Sequence, residues 1–200
     1  MKDYHSKFAT NQFYHVYNRA NGTENLFIEQ KNYNFFLKRW DDYLADYLNV
    51  WTYCLISNHF HFLVRINDDE KLVKFLKSGQ TISDLISNQF RNLFISYTKS
   101  FNKVYNRNGS LFQKPFKHVL VDSEPYLLAL IHYIHHNPIH HNLADNFTDW
   151  TYSSYSAFIS NGTTKLDKES VLNLFGGKKE FITFHSQMKD YKKIDHLIIE

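Results

Sequence analysis

The chain has 200 residues and a formal net charge of +3, and 43% of its residues are hydrophobic and 18% aromatic. This composition supports the packed core of one domain and excludes a disordered or repetitive protein. The sequence contains one cysteine, Cys54, no apolar run long enough to span a membrane, and no apolar stretch near its start that resembles a secretory signal. We therefore expect a cytoplasmic protein without an intramolecular disulfide.

The positive charge is concentrated in one part of the sequence. Residues 85–121 contain six basic side chains and no acidic one. A local excess of positive charge on a nearly neutral protein indicates a surface that binds a polyanion. An ordinary solvated helix face is the alternative explanation.

The predicted elements alternate between strands and helices along the first two thirds of the chain. A strand over 12–18 is followed by a turn at Asn21-Gly22 and by a helix over 30–49, whose apolar residues recur at helical spacing. Two apolar runs of strand length, 50–56 and 60–66, then form a predicted hairpin.

Further elements follow the hairpin. They are a short helix over 71–79, a long helix from a cap at Thr81 or Ser83 to about 102, a strand over 116–121, and a helix from a cap at Asp122 or Ser123 to Asn137-Pro138. The last two predicted helices cover 150–159 and 168–175.

This order predicts an α+β protein with the ferredoxin-like split β-α-β-β-α-β pattern, an antiparallel sheet with helices on one face. We expect residues 1–145 to form this domain and residues 146–200 to form a C-terminal helical extension packed on it.

Two histidines lie on the third predicted strand, within the sequence WTYCLISNHFHFLVR. Since residues two apart on a strand point to the same face, His59 and His61 present two imidazoles side by side, and Phe60 and Phe62 point to the other face. Two such imidazoles can provide two ligands to a metal ion. The chain has 12 histidines, so a chance pair with ordinary hydrogen bonds is the better explanation of this pair taken alone.

The helix that ends at Asn137-Pro138 carries a second group of polar residues. Tyr133 and Asn137 are four apart and share one face, and an amide oxygen can ligate a divalent cation. A tyrosine beside such a cation can act as a nucleophile on a phosphodiester, although a buried aromatic of an apolar helix is the alternative for Tyr133. Three further residues of this helix are weaker candidates for ligands, bases or phosphate contacts: His132, His135 and His136.

Five segments of the chain, FYHVYNR, CLISNHFHFLVR, SLFQKPFKHVLV, PYLLALIHYIHHNPI and WTYSSYSAF, occur in order over roughly residues 11–160. Together they resemble the REP-associated tyrosine transposases, which belong to the one-tyrosine HUH transposase superfamily. The resemblance centres on N-H-x-H in a strand and Y-I-x-x-N-P in a later helix.

The resemblance implies a role for each matching residue. His59 and His61 match the metal-binding histidines, Tyr133 matches the catalytic tyrosine, and Asn137 matches the position that completes the metal site, where relatives often have Gln. It also implies a ferredoxin-like catalytic domain, a magnesium or manganese cofactor, and single-stranded DNA next to a hairpin as the substrate. Cleavage in this family gives a 5′-phosphotyrosine and a free 3′-OH. Imidazole ligands also suit zinc, nickel or copper.

One segment departs from the family pattern. Relatives commonly have N-P-V-R-A-G-L after the tyrosine helix, and this chain has Asn137-Pro138-Ile139-His140-His141-Asn142-Leu143. Without this Arg and Gly, a phosphate contact that relatives make at these positions is not expected here. The predicted nucleophile, Tyr133, is unaffected.

Basic side chains are the predicted contacts to DNA. Two of them, Arg19 and Arg65, lie near strand ends and are expected close to the scissile phosphate. The others are expected on backbone phosphates, which makes binding salt-dependent: Lys99, Lys103, Arg107, Lys114 and Lys117.

Three functions remain to be separated. The first is a transposase-like enzyme that cleaves and rejoins single-stranded DNA through Tyr133. The second is a non-catalytic, host-retained protein that binds single-stranded DNA or a hairpin, and the third is a metal-dependent hydrolase that uses an activated water. The protein is expected to be a monomer or a homodimer, with its active site assembled in cis or in trans.

Overall fold

The computed structural model describes residues 6–187. Its strands are β1 (Phe13–Arg19), β2 (Leu48–Ile56), β3 (His59–Ile66) and β4 (Lys117–Val121). Its helices are α1 (Gln30–Leu44), α2 (Asp69–Leu72), α3 (Ile82–Val104), α4 (Glu124–His140), α5 (Tyr155–Ile159), α6 (Lys168–Phe175) and α7 (Lys178–Gln187), with a 3-10 turn at Val73–Phe75.

The four strands form one antiparallel sheet in the order β2-β3-β1-β4. The two helices of the split pattern, α1 and α3, pack together on one face, and the predicted ferredoxin-like fold is confirmed. The later helix α4 covers the other face, where it contacts β2 and β3. The sheet is therefore enclosed between two layers of helix.

Aromatic side chains fill the layer beneath α1 and α3. Phe60 and Phe62 point into this layer, as strand alternation predicts. The ring of Trp40 on α1 stacks on Phe62 with centroids 3.5 Å apart, and Phe36 lies 5.1 Å from Phe60. This dense packing holds the backbone of β3, and with it the opposite face of the strand, in one position.

The helix α4 starts as predicted and ends three residues later than predicted. Ser123 is its N-cap and Pro125 lies in its first turn, but the helix continues through Pro138 to His140. Pro138 has no N–H for the carbonyl of Ile134, so one intrahelical hydrogen bond is lost there. The turn is nevertheless completed, because the buried face of α4 continues to pack against the sheet up to Pro138.

The end of α4 explains one departure from the family pattern. Asn142 has φ +55°, and the N–H groups of Asn142 and Leu143 donate to the carbonyls of Ile139 and Pro138 at 3.0 and 2.8 Å. This is a Schellman ending, in which a left-handed residue closes the helix. Asn142 stands where relatives commonly have Gly, and Asn is one of the few other residues that adopt this conformation readily.

Three other predicted elements are wrong in their bounds. The helix predicted over 71–79 is instead α2 followed by the 3-10 turn, which ends at Phe75 because Leu76 is extended. The helix predicted over 30–49 ends at Leu44, because Leu48 and Asn49 pair with Ile66 and Arg65 as the start of β2. The helix predicted over 150–159 begins only at Tyr155.

The residues before α5 lie along the outer edge of β2. Leu55 donates its N–H to the carbonyl of Tyr152, and Ser154 donates its N–H to the carbonyl of Tyr53, both at 3.0 Å, with a bridge between Cys54 and Ser153. Residues 152–154 follow this edge before α5 begins, because the edge of β2 takes up their backbone groups.

The helices α5, α6 and α7 pack against the outer side of α4, where Phe158 and Phe181 are fully buried. They belong to the extension predicted over 146–200, and residues 188–200 lie outside the described residues. In the part of the chain from 6 to 187, no helix has the length and apolar character needed to cross a membrane.

Candidate catalytic and metal-binding site

The structure brings the two histidines of β3 and the tyrosine of α4 together on the face of the sheet that α4 covers. The ring centroids of His59 and His61 are 5.1 Å apart, and the ring of Tyr133 meets His61 edge-on at 5.4 Å. This contact forms because β3 places alternate side chains towards α4 while Phe60 and Phe62 anchor the strand on its other face.

Asn137 lies one helical turn after Tyr133 and faces the same site. Its Nδ2 atom is 3.5 Å from the Tyr133 hydroxyl, and its amide lies close enough to His59 to act on that imidazole as a hydrogen-bonding group. Asn137 has no solvent exposure, and Tyr133 is 4% exposed. The predicted site residues thus form one compact, buried group.

Burial keeps both histidines of β3 neutral. Burial, with smaller contributions from the nearby His141 and Arg19, lowers the pKa of His59 to about 3. Burial also holds the pKa of His61 well below its usual value, with smaller contributions from His59 and His15. Neutral imidazoles are the form that binds metal ions, because a protonated ring has no lone pair to donate.

Three buried atoms of this group make no hydrogen bond of good geometry, although the Asn137 amide lies near His59: Nε2 of His59, Nε2 of His61 and Oδ1 of Asn137. An unsatisfied buried polar atom costs about 1–3 kcal/mol, so three in one place require an explanation. A divalent cation bound by two imidazole nitrogens and an amide oxygen would satisfy all three. In the region from 6 to 187, no three His, Cys, Asp or Glu side chains are grouped to hold a metal ion.

The second nitrogen of each β3 histidine is hydrogen-bonded. His59 donates Nδ1–H to Oδ1 of Asn58 at 2.8 Å, and Nδ1 of His61 lies 2.9 Å from Nε2 of His15. The sequence analysis missed His15, which is completely buried on β1. Its spacing from Tyr17 and Arg19 indicates that all three side chains lie on one face of β1. Only the pairing of β1 with β3 places His15 beside His61.

Basic side chains lie at the mouth of the site. Arg19 is exposed and pairs with His59 across β1 and β3. The backbone N–H of Gln113 donates to the Arg19 carbonyl at 2.9 Å, which places the loop that carries the exposed Lys114 beside Arg19. Lys117 lies with its amine 5.6 Å from the ring centroid of Tyr17, and that ring stacks on His61 at 5.7 Å.

Two residues near the end of α4 also border the site. The ring of His141 lies 4.9 Å from that of His59 and 5.1 Å from that of His140, which is exposed. The sequence analysis did not assign a role to either. Together with Arg19 they form the polar rim through which a phosphate could reach Tyr133.

The remaining predicted DNA contacts are distributed differently. Arg65 lies at the other end of β3, six residues or roughly 20 Å from His59, where it donates to Asn11. Arg107 is engaged with the carboxylate of Glu24. The structure therefore places neither guanidinium at the site.

Lys99 and Lys103 are exposed on α3, on the face of the sheet opposite the site. The end of α3 nevertheless reaches the same end of the sheet as His59. Tyr97 donates its hydroxyl to the carbonyl of Leu26, and Leu26 donates its N–H to the carbonyl of Ser57. Lys103 can therefore extend a basic path that begins at the site.

The other histidines of α4 face away from the site and towards the C-terminal helices. His185 on α7 donates Nδ1–H to the carbonyl of Phe181 at 2.8 Å, so its Nε2 accepts from Nδ1–H of His135 at 2.9 Å. Nε2 of His135 then accepts from the hydroxyl of Thr52 at 2.6 Å, and the hydroxyl oxygen of Ser154 lies 2.9 Å from the same nitrogen. His132 contacts the backbone carbonyl of His185 at 3.2 Å. These histidines join α4 to α7.

Comparisons with known proteins identify two that are similar to this chain. No family model matches the sequence. A protein of Haemophilus influenzae named "Putative REP-associated tyrosine transposase" is 24% identical, over 58% of this chain and 73% of the relative. A solved REP-associated tyrosine transposase bound to a REP hairpin superimposes with a TM-score of 0.60 at 14% identity, over 82% of this chain and 88% of that chain.

The chain has the fold of a REP-associated tyrosine transposase. The resemblance inferred from the sequence segments is confirmed, since the curated relative and the solved structure both carry the name of that family. The REP-associated tyrosine transposase of known structure holds a hairpin of DNA, and the part of this chain that it matches includes most of the described residues.

Proposed function

We propose that this protein is a transposase-like strand transferase that cleaves and rejoins single-stranded DNA through Tyr133. The Tyr133 oxygen attacks the phosphorus of a phosphodiester and forms a new O–P bond. The bond from phosphorus to the 3′-oxygen breaks, the phenolic proton is released, and the departing oxygen takes up a proton. The products are a 5′-phosphotyrosine and a free 3′-OH, and attack by a 3′-OH reverses the step.

The observation that carries the proposal is the position of Tyr133 against His61 and beside Asn137. Together with His59, these two residues present three buried nitrogen and oxygen atoms that suit a divalent cation. When bound, Mg²⁺ or Mn²⁺ supplies positive charge at a phosphoryl oxygen, which favours attack by an oxygen nucleophile. The protein residues supply the rest: β3 and α4 hold the ligand atoms and the nucleophile in one arrangement, and the burial of Tyr133 limits the access of water to the phosphotyrosine.

The proposed substrate is single-stranded DNA next to a hairpin. Its support is the similar solved structure, which is bound to a REP hairpin, and the basic side chains around the mouth of the site. Arg19, Lys114 and Lys117 lie where the scissile phosphate and its neighbours would enter, and Lys103 continues the positive surface around the end of the sheet. Such contacts bind the DNA backbone without reading its sequence.

The test is to incubate the protein with labelled single-stranded DNA from the flanks of its own gene, hairpins included, and Mg²⁺ or Mn²⁺. Denaturing electrophoresis then detects a covalent protein–DNA band. We expect the band with the wild-type protein and its loss with Tyr133→Phe or with a chelator. Tyr126→Phe, which removes another buried hydroxyl from α4, is the matched control and should retain the band.

The other outcomes identify the other candidate functions. Free cleavage products that persist with Tyr133→Phe would show a hydrolase that uses water. Binding to the hairpin without any covalent band, at every metal and substrate tried, would show a non-catalytic DNA-binding protein.

A further inference from the structure

The contact between His15 and His61 carries an inference beyond the proposed reaction. His15 lies in the middle of β1 and is completely buried. In the β1–β3 register, His61 pairs with Tyr17 and His15 pairs with Leu63, so the two histidines are diagonal neighbours on one face. Their rings stack with centroids 5.1 Å apart, and a 2.9 Å contact joins Nε2 of His15 to Nδ1 of His61.

A hydrogen bond between two neutral imidazoles requires that one ring donates and the other accepts. If Nδ1 of His61 donates, its Nε2 carries a lone pair and points into the site without a hydrogen-bond partner. If Nε2 of His15 donates instead, the proton of His61 must lie on its Nε2, and this nitrogen cannot bind a cation. The choice of tautomer at His61 therefore decides whether the site can function.

The neighbouring histidine shows which arrangement the site is built for. Oδ1 of Asn58 can only accept, so His59 donates Nδ1–H and keeps its Nε2 lone pair. Metal-binding histidines in general donate their second ring N–H to a fixed acceptor, which sets both tautomer and ring orientation.

We infer that His15 is a positioning residue that accepts the Nδ1–H of His61 and thereby fixes the tautomer in which Nε2 of His61 is available to a cation. The role of this tautomer in binding a cation rests on the proposed function. The tautomer itself is a property of the protein without metal, so it is measured independently of the proposed function.

Two substitutions separate positioning from packing. His15→Gln retains a polar acceptor near the position of Nε2, and His15→Leu retains apolar volume without an acceptor. His118→Leu is the matched control, because His118 is a buried histidine of the same sheet that stacks on Phe8 at 4.3 Å, in the layer opposite the site.

The first measurement is the ¹⁵N NMR signature of the His61 imidazole in metal-free wild-type protein, assigned by its loss in His61→Asn. We expect His61 with the proton on Nδ1. Protonation on Nε2 would overturn the inference, whatever the protein does with DNA.

The second measurement is calorimetric titration of each folded variant with Mn²⁺. Loss of a hydrogen-bond partner to a metal ligand typically costs 10–100-fold in affinity, and we expect such a loss for His15→Leu. His15→Gln and His118→Leu should bind close to wild type. Wild-type affinity in His15→Leu would overturn the inference, and if that variant does not fold, the wild-type tautomer and the His15→Gln titration decide the question.

A wild-type protein that binds no divalent ion and forms no covalent adduct would refute the proposed function, while the NMR result would still stand for His15.

Discussion

At the scale of single residues, the site buries polar side chains whose nitrogen and oxygen atoms are arranged to bind a cation. Burial keeps His59 and His61 neutral. A neutral imidazole whose Nε2 atom makes no hydrogen bond can use that lone pair to bind a cation. Tyr133 lies against the ring of His61 and is almost completely enclosed. A DNA phosphate must therefore enter from the rim, where Arg19 and His140 are exposed.

The role of Asn137 is open to a direct test. We expect Asn137→Ala to lower the yield of covalent adduct at limiting Mn²⁺ by about 10–100-fold, the range for disrupted metal sites, because the amide oxygen is lost. Part of this loss should be recovered at high Mn²⁺ concentration. Asn137→Gln retains the amide group that the resembled family often has at this position and should stay closer to wild type. The measurement is the adduct yield as a function of Mn²⁺ concentration, and an unchanged curve for Asn137→Ala would exclude Asn137 from the cation site.

A second residue-scale prediction concerns the end of the tyrosine helix. Asn142 has φ +55°, a conformation that costs most residues with a side chain about 1–2 kcal/mol. Asn142→Ala should therefore lower the free energy of unfolding by about 1 kcal/mol, and Asn142→Gly should leave it nearly unchanged. Urea denaturation of the three proteins measures the difference. Equal stability of the Ala and wild-type proteins would show that the left-handed ending of α4 is not required.

At the scale of elements, α4 is held on two sides with different chemistry. Its inner side carries the candidate site, and its outer side is joined to α7 by the buried histidines His132, His135 and His185. The hydrogen bonds of this cluster end on Thr52 of β2 and Ser154, so the chain couples α7, α4 and the sheet through side chains as well as through apolar packing.

This cluster predicts acid sensitivity. Burial lowers the pKa of His132 to about 4 and that of His185 to about 3, and it holds the pKa of His135 well below its usual value. Below pH 6.5 the unfolded chain binds protons that the folded chain excludes, so stability is full above this pH and decreases as the pH falls towards the folded pKa values. Each buried imidazole then lowers the free energy of unfolding by about 1.4 kcal/mol per pH unit, which amounts to about 2 kcal/mol at pH 5.

The check is the free energy of unfolding between pH 7 and pH 5 for the wild type and for His185→Gln. Glutamine cannot titrate but can accept from His135. We expect the variant to lose about 2 kcal/mol less stability over this interval than the wild type. Parallel curves would show that His185 becomes protonated in the folded protein without a large cost.

The sequence predicts elements well where local periodicity determines them. Alternation on β3 places His59 and His61 opposite Phe60 and Phe62, and the four-residue spacing of Tyr133 and Asn137 places both on one face of α4. The contact of His15 with His61 depends on a strand register between residues 46 apart, and no local pattern encodes that register. The same limit applies to His185, whose partner His135 lies 50 residues earlier.

The errors in the predicted bounds of helices also come from contacts between residues that are distant in the sequence. Proline is a helix breaker by local rules, yet α4 continues through Pro138 because tertiary packing outweighs one lost hydrogen bond. Residues 152–154 lie outside α5 because a strand edge takes up their backbone groups, and this edge exists only in the folded protein. Local sequence cannot report interactions of this kind.

At the scale of the whole molecule, the described site is assembled within one chain. Tyr133 packs against His61 of its own sheet, so we expect catalysis in cis. A mixture of His61→Asn and Tyr133→Phe proteins should then give no more covalent adduct than either variant alone. Restored adduct in the mixture would show that the tyrosine of one chain serves the histidines of another.

The basic surface predicts how DNA binding responds to salt. Lys114 lies beside Arg19 at the mouth of the site, and each phosphate contact to a single strand contributes about 0.7 to the slope of log K against log salt. Lys114→Gln should reduce this slope by about that amount and weaken binding to all sequences alike. The control is Lys77→Gln, which changes an exposed lysine outside the basic segment. Equal slopes for Lys114→Gln and the wild type would place Lys114 outside the DNA path.

The segment 152–154 also bears on how copies of this protein can associate. Its hydrogen bonds to Tyr53 and Leu55 occupy backbone groups that an outer strand would otherwise offer to a neighbouring molecule. Open strand edges are the usual sites of unwanted aggregation and of intermolecular sheet extension. With this part of β2 capped by its own chain, β4, which carries Lys117, is the opposite edge of the sheet. An intermolecular sheet built along β4 would bring the second copy to the side of the fold where the DNA is proposed to enter.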